Sequence, residues 1–227
     1  MKIAIDGPGG AGKSTVAKRL ADELGMTYID TGAMYRAVAL AVHRRGLSTG
    51  DADAVRGLLG FIRLGIAHEA ATGRQLIYLN GEDVSDAIRT PQISLGASDV
   101  SKIPEVRLAM VELQRGIASG ADVVMDGRDI GTFVFPDASR KYFLTASPET
   151  RARRRFLELT AKGQSVTFEQ CLSELLVRDE NDSNRAFAPL KAADDALLVE
   201  TDDMTEDEVV AALRADLLNL GLCGAGP

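Results

Sequence analysis

The sequence predicts an α/β fold built on a parallel sheet, and three observations predict it. A short apolar segment, Lys2–Asp6, runs through a glycine-rich stretch into helical spacing at Ser14–Leu24. The same step repeats at once, with Thr27–Asp30 ahead of Gly32–Arg45. Further short apolar segments then recur at Asp122–Asp126, Lys141–Thr145 and Ala196–Glu200, each separated from the next by loop or helical sequence. Strands that alternate with helices join as parallel neighbours through crossovers.

Each element has a local reason. Val16, Leu20 and Leu24 form one apolar face of the first helix, and Gly25 supplies its stop signal. Between Phe61 and Thr90 the pattern changes: Gln75–Leu79 is strand-like, Asn80-Gly81 is a strong hairpin turn, and no long helical stripe appears. This stretch reads as a small antiparallel insert. Pro104 opens a helix over Glu105–Ala118. Ser147-Pro148-Glu149 reads as an N-cap with Pro in the first turn, opening an arginine-rich helix that stops near Gly163. Thr167–Gln170 and Thr205–Glu208 both match the capping box and open two more helices. The expected division is a core at 1–60 and 104–220, an insert at 61–103 and a fraying tail at 221–227.

The chain has 227 residues and a formal net charge of −7, with 5% aromatics and no Trp. An acidic chain poor in stacking rings is not built to bind nucleic acid generally. Two Cys and two His are scattered, which argues against a zinc site or a disulfide framework. No apolar run reaches the ~18 residues that a membrane span needs. No secretory leader fits before the glycine-rich stretch, so a cytoplasmic monomer without membrane contact is expected.

Gly7-Pro8-Gly9-Gly10-Ala11-Gly12-Lys13-Ser14 fits GxxxxGK[ST], with a strand before it and a helix after. Glycines let the backbone wrap a phosphate with its N–H groups inward, and the helix N-terminus adds partial positive charge. Lys13 then reaches the β- and γ-phosphates, Ser14 holds Mg²⁺, and Thr15 completes the donor set for ATP. Gly7, Gly9 and Gly12 also satisfy GxGxxG, and Asp30 stands where a dinucleotide fold keeps its ribose-binding acid. Lys13-Ser14 favours the phosphate cradle, because a dinucleotide loop has no use for either.

A second set of phosphate-seeking residues follows other strands. Asp30–Arg36 contains Thr31, placed to cap a helix, and Arg36, one turn in. Asp126–Asp129 brings Arg128 to a strand end, where α/β sheets keep their ligands. Arg178, Asp182 and Arg185 fall at i, i+4 and i+7, on one face of a helix, either as a binding face or as a surface ion-pair ladder. Arg151, Arg154 and Arg155 share a face in the same way.

Taken together, Gly7–Ser14, Asp30–Arg36, Asn80–Ser85, Ile88–Thr90, Asp126–Phe135 and Asn184–Ala186 resemble bacterial-type cytidylate kinases from about Lys2 to Leu220. The resemblance implies a three-layer αβα P-loop kinase core with five parallel strands, a small antiparallel β/α acceptor-binding insert and a helical lid at about 151–185. It implies ATP with Mg²⁺ as donor and CMP or dCMP as acceptor. Thr31, Tyr35, Arg36 and Arg128 would then hold the acceptor and its phosphate; Ser98, Arg107 and Asp129 the cytosine edge; Arg178 and Asp182 the ribose. Arg185 would lie near the phosphates and Arg154 would be a lid arginine. On the same scaffold the alternatives are a kinase of a small alcohol, such as a shikimate-type enzyme, or a kinase of UMP.

Overall fold

The structure is a computed structural model, and it describes residues 1–69 and 72–224. The end of the expected tail therefore lies outside the described residues. The chain divides into two compact units. The first comprises Met1–Ile29, Ala118–Asn184 and Ala188–Pro227; the second comprises Asp30–Ile117 with Arg185–Phe187.

The first unit carries the five-stranded sheet: β1 (Lys2–Asp6), β2 (Thr27–Asp30), β6 (Val123–Gly127), β7 (Arg140–Thr145) and β8 (Leu197–Glu200), in the spatial order β2-β6-β1-β7-β8. Strand β1 pairs in parallel with β6 on one side and β7 on the other, and β7 pairs in parallel with β8. Neighbours in that register put Ile3 beside Val124 and Ala4 beside Met125. All four side chains are buried, so the sheet is covered on both faces and its strands read as apolar runs. Ile3, Ile5, Val124, Tyr142 and Leu144 meet the inward stripes of α1 (Lys13–Leu24) and α8 (Glu206–Asn219), where Val16, Leu20, Leu213 and Leu217 close the core.

Local capping explains the helix ends of this unit. Ser147 caps α6 (Pro148–Ala161), with Pro148 in its first turn. In α7 (Phe168–Asn184) the Thr167 and Gln170 side chains and backbones bond reciprocally, and Thr205 and Glu208 do the same for α8. The capping boxes expected from sequence are thus both present. Helix α7 ends at Asn184, which corrects the expectation that Arg185 shares its face. Ala188 at φ 48° and Pro189 turn the chain there, and the Leu190 N–H returns to the Asp182 carbonyl.

The second unit holds α2 (Thr31–Arg44), α3 (Ala52–Leu59), α4 (Pro91–Val100) and α5 (Pro104–Ile117), with an antiparallel sheet of β3 (Leu64–His68), β4 (Gln75–Leu79) and β5 (Glu82–Asp83). The expected insert is therefore a three-stranded sheet. Asn80 and Gly81 join β4 to β5 at φ 52° and 88°, the two positive values a tight hairpin needs. The N-cap of α2 is Asp30, whose carboxylate accepts the Ala33 N–H; Thr31 is already the first helical residue, not the cap. Helices α3 and α4 were given no bounds from sequence, although Asp51 and Thr90 cap them conventionally and Pro91 opens the second. Among the described residues no helix is long and apolar enough to cross a membrane.

Candidate active site

In the first unit the cradle forms where β1 ends. Gly7 sits at φ 144°, and a Cβ there would lie 1.9 Å from the Leu144 carbonyl oxygen, so only glycine lets the loop leave the strand this close to β7. Gly12, at φ 86°, precedes α1 without a side-chain cap, which leaves the first amides of the helix for an anion. Lys13 folds back into the loop, and its Nζ donates to the Pro8 carbonyl at 2.7 Å. The side chain is almost fully buried. Burial and the nearby Arg128 push its ammonium down to about 7, against the attraction of Asp126, Asp6 and Asp182.

Three acids lie beneath this loop. Asp126, on β6, accepts from the Ser14 hydroxyl at 2.9 Å and from the Tyr28 hydroxyl at 2.8 Å. Asp6 accepts from the backbone N–H groups of Ile130 and Gly131 at 2.8 and 2.7 Å. These bonds hold the π turn Ile130–Val134 that follows Arg128 and Asp129. Burial nevertheless pushes the Asp6 carboxyl up to about 7. Asp129 is buried in the same unit, and its charge adds to that rise.

Arginines surround the cradle. A Cβ on Gly9 would lie 3.5 Å from Arg128 Nη2 and 3.8 Å from Arg178 Cζ. Arg128 Nε donates to Asp182 Oδ2 at 2.7 Å. Burial works against its charge, but Asp182 and then Asp126 and Asp179 outweigh burial and hold it charged. Asp182 thus reaches off α7 to Arg128 at the end of β6. The three arginines of α6 separate. Arg151 is buried, donates to Ala146 O and Gly9 O, and pairs with Asp179 at 2.7 Å. Arg154 donates to Thr201, whose hydroxyl lies 3.4 Å from Ala11 O. Arg155 pairs with Glu158 on its own helix.

The second unit gathers the other expected residues. Arg36 Nη2 donates to Asp30 Oδ2 at 2.7 Å, while Arg36 Nε is buried without a hydrogen-bond partner. Burial would raise the Asp30 carboxyl, but Arg36 and the Ala33 N–H outweigh it and hold the group below the usual carboxylate range. Thr31 is buried beside this pair. Arg107, 1% exposed, lies 5.6 Å from the centre of the Tyr35 ring and donates to Ser101 O; the Ser101 hydroxyl donates in turn to Ser98 O. Tyr35, Ser98 and Arg107 thus form one cluster. Arg185 is buried and belongs to this unit with Ala186 and Phe187.

Sequence reasoning missed Asp6 and Asp179. Asp6 carried a signal: a carboxylate ending an apolar strand that is buried on both faces.

A strand ending on a glycine-rich cradle, an uncapped helix start and a buried lysine within it define a P-loop protein. The profile of the cytidylate kinase family matches residues 3–217. A protein named cytidylate kinase from Caldanaerobacter subterraneus subsp. tengcongensis is 53% identical over 210 residues, 92% of this chain and 91% of its own. Another of that name from Caldicellulosiruptor bescii is 50% identical over 210 residues, 92% of each chain. Among solved structures, an uncharacterized protein from Eubacterium ventriosum superposes over 96% of this chain and 98% of its own with a TM-score of 0.50 at 12% identity, a likeness of fold alone. The chain belongs to the cytidylate kinase family.

Proposed function

We propose that this chain transfers the γ-phosphoryl group of ATP to CMP and dCMP, giving ADP with CDP or dCDP. The observation that carries this is the identity of 50–53% to proteins named cytidylate kinase, over 92% of the chain. The attacking group is a phosphate oxygen, already anionic near neutral pH, so no strong general base is needed. Catalysis is then positioning and charge stabilisation around a loose, in-line transition state.

The cradle Gly7–Ser14, with Thr15, takes the donor triphosphate. Lys13 supplies positive charge to its outer phosphates; their negative charge restores the ammonium that burial weakens. Arg128, Arg185 and Arg154 are assigned to the transferring group, and α6–α7 to the lid that excludes water. Thr31, Tyr35, Arg36 and Arg128 are assigned to the acceptor and its phosphate. Ser98, Arg107 and Asp129 are assigned to the base, and Arg178 and Asp182 to the ribose.

Mg²⁺ fits the oxygen donors present. The Ser14 hydroxyl and the Asp126 carboxylate are 2.9 Å apart, and among the described residues no three His, Cys, Asp or Glu groups form a metal cage. A hard cation that keeps waters and phosphate oxygens needs no such cage. Ser14 would hold the ion directly and Asp126 would orient Ser14. When bound with ATP, the ion withdraws charge from the β- and γ-phosphates.

The test is steady-state kinetics with Mg²⁺·ATP and CMP, dCMP, UMP, AMP or shikimate. A site whose buried polar groups pair with the cytosine amino group rejects UMP by up to about 10⁴–10⁵-fold. Equal kcat/KM for UMP and CMP overturns the assignment, and turnover of shikimate alone points to the alcohol-kinase alternative.

A further inference from the structure

Strand β4 turns Gln75, Ile77 and Leu79 inward, so alternation puts a glutamine where the second unit buries apolar side chains. Gln75 is 8% exposed. A buried amide persists only where its donor and acceptor are both met. Here the partner is the backbone of Asp30: the Asp30 N–H donates to Gln75 Oε1 at 2.8 Å, and Gln75 Nε2 donates to Asp30 O at 3.2 Å. The side chain copies the edge of a peptide group and binds residue 30 as a neighbouring strand would.

What Asp30 does next gives the brace its consequence. Its Oδ1 accepts the Ala33 N–H and caps α2, and its Oδ2 accepts Arg36 Nη2. All four polar atoms of Asp30 are therefore engaged, two by Gln75 and two by the first turns of α2. The space is tight as well: a Cβ on Gly32 would lie 3.1 Å from both Arg36 Nη1 and Asp30 Oδ1. A shift of the Asp30 backbone therefore moves the start of α2 and the Arg36 fork together.

We propose that Gln75 is a positioning residue for the acceptor phosphate: the insert sheet, through the Gln75 amide, sets where Thr31 and Arg36 stand. Gln75 itself touches no substrate. The inference rests on the assignment of Thr31 and Arg36 to the acceptor. It makes the insert a support for the phosphate-binding turn.

The experiment measures CMP binding by calorimetry and the KM values for CMP and ATP, on wild type, Gln75→Ala, Arg36→Ala and the double variant. Gln75→Met fills the same volume without the amide and carries the test if Gln75→Ala fails to fold. The expected result is CMP binding weakened about tenfold by loss of the amide, with the ATP KM within about twofold of wild type. The double variant should bind CMP more tightly than the product of the two single losses, because part of the Gln75 effect passes through Arg36. CMP affinity within about twofold of wild type in the Gln75 variants overturns the brace. So does full additivity with Arg36→Ala, or an ATP KM that rises in step. A wild-type protein that does not bind CMP overturns the acceptor assignment itself, a failure read on wild type alone.

Discussion

Two arginine–aspartate pairs share one separation and differ in construction. Arg36–Asp30 closes at 2.7 Å across six residues of chain, and Arg128–Asp182 closes at 2.7 Å across 54. The first is local: Asp30 is fixed by its backbone and by the helix it caps, and Arg36 lies one turn away. The second exists only once α7 has packed near the cradle, and its aspartate is the more deeply buried of the two, with side-chain exposure of 9% against 18%. Arg128 also stands in a field that includes Asp126, Asp179 and Lys13. Equal geometry therefore does not mean equal energy. The local pair is an accessory of a helix cap, whereas the distant pair belongs to a buried charge network.

The largest effect belongs to the network. Lys13→Ala lowers kcat for CMP by about 10²–10³, as loss of one transition-state donor does; a folded variant with unchanged kcat removes Lys13 from the chemistry. The comparison is met directly by unfolding in urea. Asp182→Ala removes the hydrogen-bonded partner of the Arg128 guanidinium and costs about 3–5 kcal/mol. Arg36→Ala leaves the Ala33 and Gln75 bonds to Asp30 in place and costs less, about 1–2 kcal/mol. Equal losses in the two variants would erase the distinction.

A pH series sharpens it. The Lys13 ammonium is lowered to about 7 in the folded chain, so between about 7 and 10.5 the unfolded state binds the extra proton. The stability that wild type holds over Lys13→Met therefore rises with pH across that window and is flat below it. Asp6 runs the other way. Its carboxyl is raised to about 7, so its contribution is full below about 3.8 and is lost as pH rises through 7. Wild type against Asp6→Asn should show that falling limb in thermal melts. The smallest effect is local: Thr205→Ala removes the cap of α8 and costs about 1 kcal/mol, read from the urea midpoint.

What was legible in the sequence follows the same division. The cradle, the Asn80-Gly81 hairpin and both capping boxes depend on residues within a few positions of one another, so spacing alone exposed them. The parallel strands were legible because a sheet buried on both faces leaves continuous apolar runs. Arg185 was misplaced because the i, i+4, i+7 spacing runs past Asn184, where the helix ends. Helices α3 and α4 are short and amphipathic over few residues, and their caps at Asp51 and Thr90 went unread. The bonds of Asp6 with Ile130 and Gly131 span 124 and 125 residues, that of Arg151 with Gly9 spans 142 and that of Gln75 with Asp30 spans 45, and no local pattern announces them.

Transfer between two bound nucleotides, with water shut out, is most directly tested by a single turnover with ATP labelled in its γ-phosphate and excess protein. With CMP present, the label should pass almost wholly into the β-phosphate of CDP, and without CMP it should stay in ATP. Label released as inorganic phosphate at the same rate with and without CMP would contradict the account.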